Sequence, residues 1–197
     1  MNTSTDARDR LVAAAQEMFA AQGVGATSPR QVLAASGVGQ GSLYHHFPTK
    51  HDLAAAAVGA TVESALAAAR RDLEGTTPAL DRVVAYVERP RDALAGCKIG
   101  RLTSDQAVMD DDGLHDVVTA YFVRLLDVVA TTLREAGLPD DAARDRAHAA
   151  VAIVQGGYVL ARATGDPDAM RAAVRGFVTL LTDLPDDRHT DPTEETA

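Results

Sequence analysis

The chain has 197 residues, enough for a small domain fused to a larger one, and 46% of them are hydrophobic, which excludes a disordered chain. Aromatic residues are scarce at 4%, Trp is absent, and the single Cys97 excludes an internal disulfide. The net charge of −9 argues against loose adhesion to nucleic acid, but all of it lies beyond residue 53, because residues 1–53 carry four bases (Arg8, Arg10, Arg30, Lys50) and four acids (Asp6, Asp9, Glu17, Asp52). The polar start Met1–Asp6 lacks the basic-then-apolar order of a signal peptide, and charged residues interrupt every long apolar run. The expectation is a cytoplasmic protein with no membrane span.

Ala, Leu and Arg favour helices and no alternating β-branched run is present, so the expected fold class is all-α. A first helix is predicted from Asp6 to Gln22, with Leu11, Ala14, Ala15, Met18 and Phe19 at helical spacing and Gly23 ending it. Thr27-Ser28-Pro29 supplies a cap and a first-turn proline for a short second helix to Ser36. Gly37-Val38-Gly39 turns the chain into a third helix, Gln40 to Phe47, which Pro48 stops. Thr49 with Asp52 reads as a capping box opening a long Ala-rich helix to Glu74. Beyond Gly75–Pro78, a helix is expected at Ala79–Glu88, broken by Arg89-Pro90, and another resumes near Ala95–Arg101, ending before Asp110. Helices at Leu114–Ala136 and Asp140–Thr164 follow, then a last one from Asp166-Pro167 to Leu184. The Asp/Thr/Glu/Pro-rich segment 185–197 reads as a disordered tail, leaving a head at 1–53 and a body at 54–184.

Two short helices joined by a Gly-containing turn form a helix-turn-helix pattern, which by itself is weakly specific. The residue order from Gly25 to Leu53 is much more so. The Gly37-Val38 turn, Gly41-Ser42-Leu43-Tyr44-His45-His46-Phe47 and Lys50-His51-Asp52-Leu53 resemble the signature of the TetR family of bacterial regulators. That resemblance implies an N-terminal three-helix DNA-binding domain with a helix-turn-helix, a C-terminal helical domain for ligand binding and dimerisation, and a homodimer on double-stranded operator DNA. Gln40, Gly41 and Ser42 would meet base edges from the N-terminal end of the reading helix, with Gln40 able to pair bidentately with adenine. Tyr44 and His46 would reach phosphate or sugar, His45 the groove or the backbone, and Lys50 a phosphate at a helix N-terminus. Ser28 and Arg30 would hold the flanking strand or reach an outer base. Tyr44 could instead complete the small core formed by Phe19, Val32, Leu43 and Phe47, and Lys50 could be an ordinary solvated charge. Gly39 departs from the family, which usually places Ser or another capping side chain there, so the reading helix should be loose before DNA binds.

Gly96-Cys97-Lys98-Ile99-Gly100-Arg101-Leu102 and Ile153–Arg162 resemble one subgroup of that family, the LmrA/YxaF-like regulators. The resemblance implies a small hydrophobic or aromatic effector. Tyr86, Leu94, Cys97, Met109, Tyr121, Phe122, Leu125, Gln155 and Tyr158 are the candidate pocket residues, each open to the alternative of simple core packing. In the family the last two long helices pair with their copies. The stripe Met170, Val174, Phe177, Val178 and Leu181 suits such a partner, or burial within the same chain. Gly156-Gly157 implies close helix contact or room for ligand.

Other chemistry finds little support. His45, His46 and His51 have no metal-site spacing, and Asp110–Asp112 with His115 and Asp116 reads as a helix cap before a cation site. Nucleophile elbow, phosphate loop and zinc motif are all missing, so neither an enzyme nor a cofactor or metal is expected. Activation in place of repression, and a helical binding module without DNA function, remain as alternatives.

Overall fold

The computed structural model describes residues 3–182, which form nine α-helices and no strand. They are α1 (Thr3–Gln22), α2 (Pro29–Ser36), α3 (Gln40–His46), α4 (Lys50–Leu73), α5 (Ala79–Glu88), α6 (Gln106–Met109), α7 (Asp112–Glu135), α8 (Asp140–Thr164) and α9 (Asp168–Thr182). The expected tail at 185–197, and the end of the last helix, lie outside the described residues.

Local chemistry accounts for most boundaries. Ser28 accepts the Gln31 N–H while the Gln31 side chain accepts from the Ser28 N–H, and Pro29 occupies the first helical position. Gly37 closes α2 in the left-handed region at φ +64°. Thr49 and Asp52 form the reciprocal box expected at the start of α4. Asp111 caps α7 by accepting the Leu114 N–H at 3.0 Å, so the acidic triplet works as a helix start.

The expected helix near Ala95–Arg101 is replaced by turns, a 3-10 segment at Gly100–Ser104 and the single turn of α6. Gly96 sits at φ +85°, which breaks any helix there.

Leu11, Ala15, Phe19, Val32, Leu43, Phe47 and Leu53 are all buried and form the base of the head. This core runs without interruption into the body, because α1 packs on α4 and α4 on α5 and α7. The expected boundary at residue 53 therefore falls inside a continuous helix, not in a linker. By length and composition α4 could cross a membrane. Here it is a core helix, burying Leu53, Ala54, Ala57, Val58, Val62, Leu66, Ala69 and Leu73.

Arg82 pins three elements together. It donates to Leu73 O at 2.7 Å and Thr77 O at 3.0 Å, and pairs with Glu135, while being only 8% exposed. Arg82→Met should lower the unfolding free energy by about 2–4 kcal/mol, since it strips Thr77 O of its donor, leaves Leu73 O with only the Thr132 hydroxyl, and removes the partner of Glu135. Urea denaturation measures this. A change below about 0.5 kcal/mol would mean that water replaces the guanidinium without penalty.

Candidate nucleic-acid interface and effector clefts

α2 and α3 stand on the head core with their polar residues outward. Gln40 and Gly41 are exposed, Ser42 is half-buried, and Tyr44 is 49% exposed, which removes it from the core. Gly39 offers no side-chain cap to α3, and a Cβ at Gly41 would meet nothing within 4 Å. His45 and His46 pack edge to face at 5.1 Å, and His46 leans on Phe47. Arg30 is exposed on α2. Ser28 lies beside it with its hydroxyl engaged by the α2 cap. Lys50 donates to Gly25 O at 3.2 Å, across the turn between α1 and α2. One of its three N–H donors is thus engaged and the rest are open to a phosphate. The structure brings all nine sequence-predicted DNA residues onto the head.

The same α1–α2 turn is held from the body. Asp105 accepts from Val24 N at 2.5 Å and Gly25 N at 3.2 Å, while its other oxygen caps α6 at Ala107 N. Gly23, at φ +90°, sits where a Cβ would lie 2.7 Å from the Asp105 carboxylate, so only glycine suits both the backbone and the contact. Arg101 donates to Ala21 O at 2.9 Å, Lys98 pairs with Glu17, and His51 meets Asp111 at 2.7 Å. The Asp111 carboxyl is held below the usual carboxylate range, first by the Leu114 N–H and then by His51. None of these ties had a signal in residue spacing, because each joins segments 60 or more residues apart.

Two clefts open in the body, on either side of Cys97, Gln155 and Tyr158. One, of about 510 Å³, is walled by Tyr86 and Tyr121 on one side and by Thr61, Ala65 and Ala68 of α4 on the other. The second, of about 640 Å³, is lined by Phe122, Arg101 and Arg162, and opens at Gly156 and Val159 of α8. Gln155 separates them, donating to Cys97 Sγ at 3.5 Å, and its oxygen crowds Gly100, where any Cβ would collide. Six of the nine candidate pocket residues thus line a cleft. Leu94, Met109 and Leu125 line neither: Leu94 sits on an exposed turn, Met109 on the single turn of α6, and Leu125, at 1% exposed, is packed in the core. Sequence reasoning passed over Arg89, Arg91, Arg101 and Arg162, because an apolar-ligand expectation directs attention to aromatic residues.

The α9 stripe also needs revision. Met170, Val174 and Leu181 are 6%, 5% and 3% exposed within one protomer, leaving almost no surface for a partner. Phe177 and Val178 are half-buried against the same core. Met170 packs on Gly157, where a Cβ would lie 2.9 Å from Met170 Cγ, so that glycine allows close contact between α8 and α9. The outward apolar residues are Val159 and Leu160 on α8 and Leu180 on α9, at 67%, 49% and 76% exposure. Small residues accompany them at helical spacing: Ala149, Ala152, Gly156 and Ala163 on α8, and Ala173 and Gly176 on α9. Among the described residues, no group of three or more His, Cys, Asp or Glu side chains is placed to hold a metal ion.

Residues 11–57 match the bacterial regulatory proteins of the tetR family, and residues 74–175 match the C-terminal domain of the LmrA/YxaF-like transcriptional regulators. The chain is 25% identical over 173 residues to the HTH-type transcriptional regulator YxaF of Bacillus subtilis, covering 84% of this chain and 90% of that protein. It is 30% identical over 190 residues to an HTH-type transcriptional regulator of Mycobacterium tuberculosis, covering 91% of this chain and 96% of that one. A crystal structure of a TetR transcriptional regulator from Chloroflexus aurantiacus superposes with a TM-score of 0.79 at 26% identity, over 93% of this chain and 98% of the other. With a helix-turn-helix head, an all-helical body and matches over both, the chain belongs to the TetR family of bacterial transcriptional regulators, with a C-terminal domain of the LmrA/YxaF-like type.

Proposed function

We propose that this non-enzymatic, DNA-binding regulator is a repressor that holds a palindromic operator as a homodimer and is released by a small, mainly apolar effector in its body. The observation that carries this is the outward row of exposed Gln40, Gly41 and Tyr44 with half-buried Ser42, mounted on a buried core whose adjoining turn is gripped by the segment that lines the clefts. A ligand that favours a body shape with the heads wrongly spaced must weaken operator binding, and operator must weaken ligand binding by the same factor. The dimer surface in this reading is the outward stripe of α8 and α9 around Val159 and Leu180, which adjoins the mouth of the larger cleft.

Selecting bound fragments from the source genome supplies the operator, and two head variants then test the reading. Gln40→Ala should lose about 1–3 kcal/mol on the best site and little on random DNA, because Gln40 reads a base. Lys50→Ala should weaken all sequences alike and lower the salt slope by about one, the mark of a lost phosphate contact. Equal losses for Gln40→Ala on both DNAs would reduce it to a positioning residue. An unchanged slope would remove Lys50 from the interface.

A further inference from the structure

The smaller cleft is walled by α1 and α4 as well as by the body, and it contains more hydrogen-bonding capacity than an apolar pocket requires. Tyr86 and Tyr121 are 3% and 7% exposed, and Tyr158 is half-buried. Among the described residues, none of the three hydroxyls has a hydrogen-bond partner in the protein. No enclosed side-chain oxygen there lacks a partner either, so these hydroxyls open onto the cleft they line. Burial raises all three above the ordinary tyrosine value, Tyr86 to about 12, so each keeps its proton at neutral pH and can donate it. The Tyr86 ring lies under two guanidinium groups, Arg91 at 5.4 Å and Arg89 at 5.8 Å, which makes its hydroxyl a stronger donor.

The charges in the wall are unequally matched. Arg89 is paired with Asp72 at 2.8 Å and Lys98 with Glu17 at 2.8 Å. Asp92 is exposed and its carboxylate caps the Ala95 N–H. Among the described residues, no carboxylate lies within ion-pairing distance of Arg91. Three backbone carbonyls hold it, Tyr86 O at 2.6 Å, Val87 O at 2.9 Å and Arg89 O at 2.8 Å, at the end of α5. Burial first, and Arg89 second, push its pKa down, the opposite of what a paired cation experiences. Fewer than its five N–H donors are used by those bonds. Across the cleft, Ala65, Ala68 and Val154 present an apolar patch, flanked by Ser64 and by Thr61, whose hydroxyl is engaged by Gln16.

We infer that the effector is an organic acid, an apolar or aromatic body whose anionic group lies toward Arg91 and the hydroxyls of Tyr86 and Tyr158. This rests on the reading of the body as an effector-binding domain. A planar body fits between Tyr121 and the small residues of α4. The acid completes the ion pair that Arg91 lacks, and charge-assisted bonds of this type are about twice as strong as neutral ones.

The test uses the full chain and two fluorescent probes with the same aromatic body, anilinonaphthalene sulfonate and the uncharged N-phenylnaphthylamine. The expected result is binding of the sulfonate about tenfold tighter than its neutral analogue. Arg91→Gln should remove that preference. The isosteric Tyr86→Phe and Tyr158→Phe, which spare the cap on α5, should each weaken the sulfonate by about fivefold and leave the neutral probe unchanged. Equal affinity for the two probes, or equal losses in the tyrosine variants, overturns the inference while leaving the cleft as a general apolar site. Ala65→Trp, which fills the cleft, separates the two levels. If neither probe is displaced by it, the effector-cleft reading fails and this inference with it.

Discussion

Leu180→Asp is expected to convert the regulator to a monomer and to lower operator affinity by about 10²–10⁴-fold, the gain that linking two binding heads provides. Leu180 is 76% exposed on α9, so the variant should fold as a single chain. Two-fold regulators read paired half-sites, and one head alone has half the contacts. A carboxylate buried in an apolar seam must be desolvated without a partner, a cost of several kcal/mol that a surface of small residues cannot offset. Val159→Asp, 67% exposed on α8, should behave the same way if both helices contribute. Sedimentation at micromolar concentration checks the assembly, and operator titration checks the affinity. A dimer that persists in both variants would place the interface elsewhere and return attention to half-buried Phe177, for which Phe177→Asp is the corresponding test.

Asp105→Ala should give the second large effect, a loss of about 2–4 kcal/mol in stability together with weaker operator binding. The carboxylate accepts two N–H groups of the α1–α2 turn and caps α6, so its removal frees three backbone donors together. It also cuts a direct tie from the cleft-lining segment to the head, leaving α4, the Arg101 and Lys98 contacts to α1 and the His51–Asp111 pair to hold the head in place. Asp105→Asn keeps an acceptor oxygen without the charge and should fall between wild type and Ala. Urea denaturation gives the stability, and hydrogen exchange at Val24 and Gly25 reports the turn. Stability within about 0.5 kcal/mol of wild type, with unchanged exchange at both amides, would show that water serves the turn as well as Asp105 does.

The helices and the reading head were legible because their signals are local. Ser28 with Gln31, Thr49 with Asp52, and the glycine after α2 each act within a few residues, so spacing alone locates them. The boundaries of α2, α5 and α8 agree with the sequence expectation residue for residue. The segment from Gly96 to Met109 was not legible. Its short helical pieces are held by contacts to α1, Gln155 and Arg162, which local propensity does not encode.

For the body, the sequence by itself determined that α8 and α9 are amphipathic, but not which side of each helix meets its own chain. A stripe at three- and four-residue spacing is the same pattern whether its partner is internal or a second copy. The tertiary structure decided that Met170, Val174 and Leu181 face inward and Val159 and Leu180 outward, because close packing at Gly157 fixes how the two helices are rotated. It likewise decided that Leu125 is core and that Arg91 borders a cleft, since burial and charge pairing depend on residues far apart in the chain. Residue order was enough to determine the helix-turn-helix head and its family, because the pattern from Gly37 to Leu53 is carried by one short helix, the turn before it and the cap that follows it.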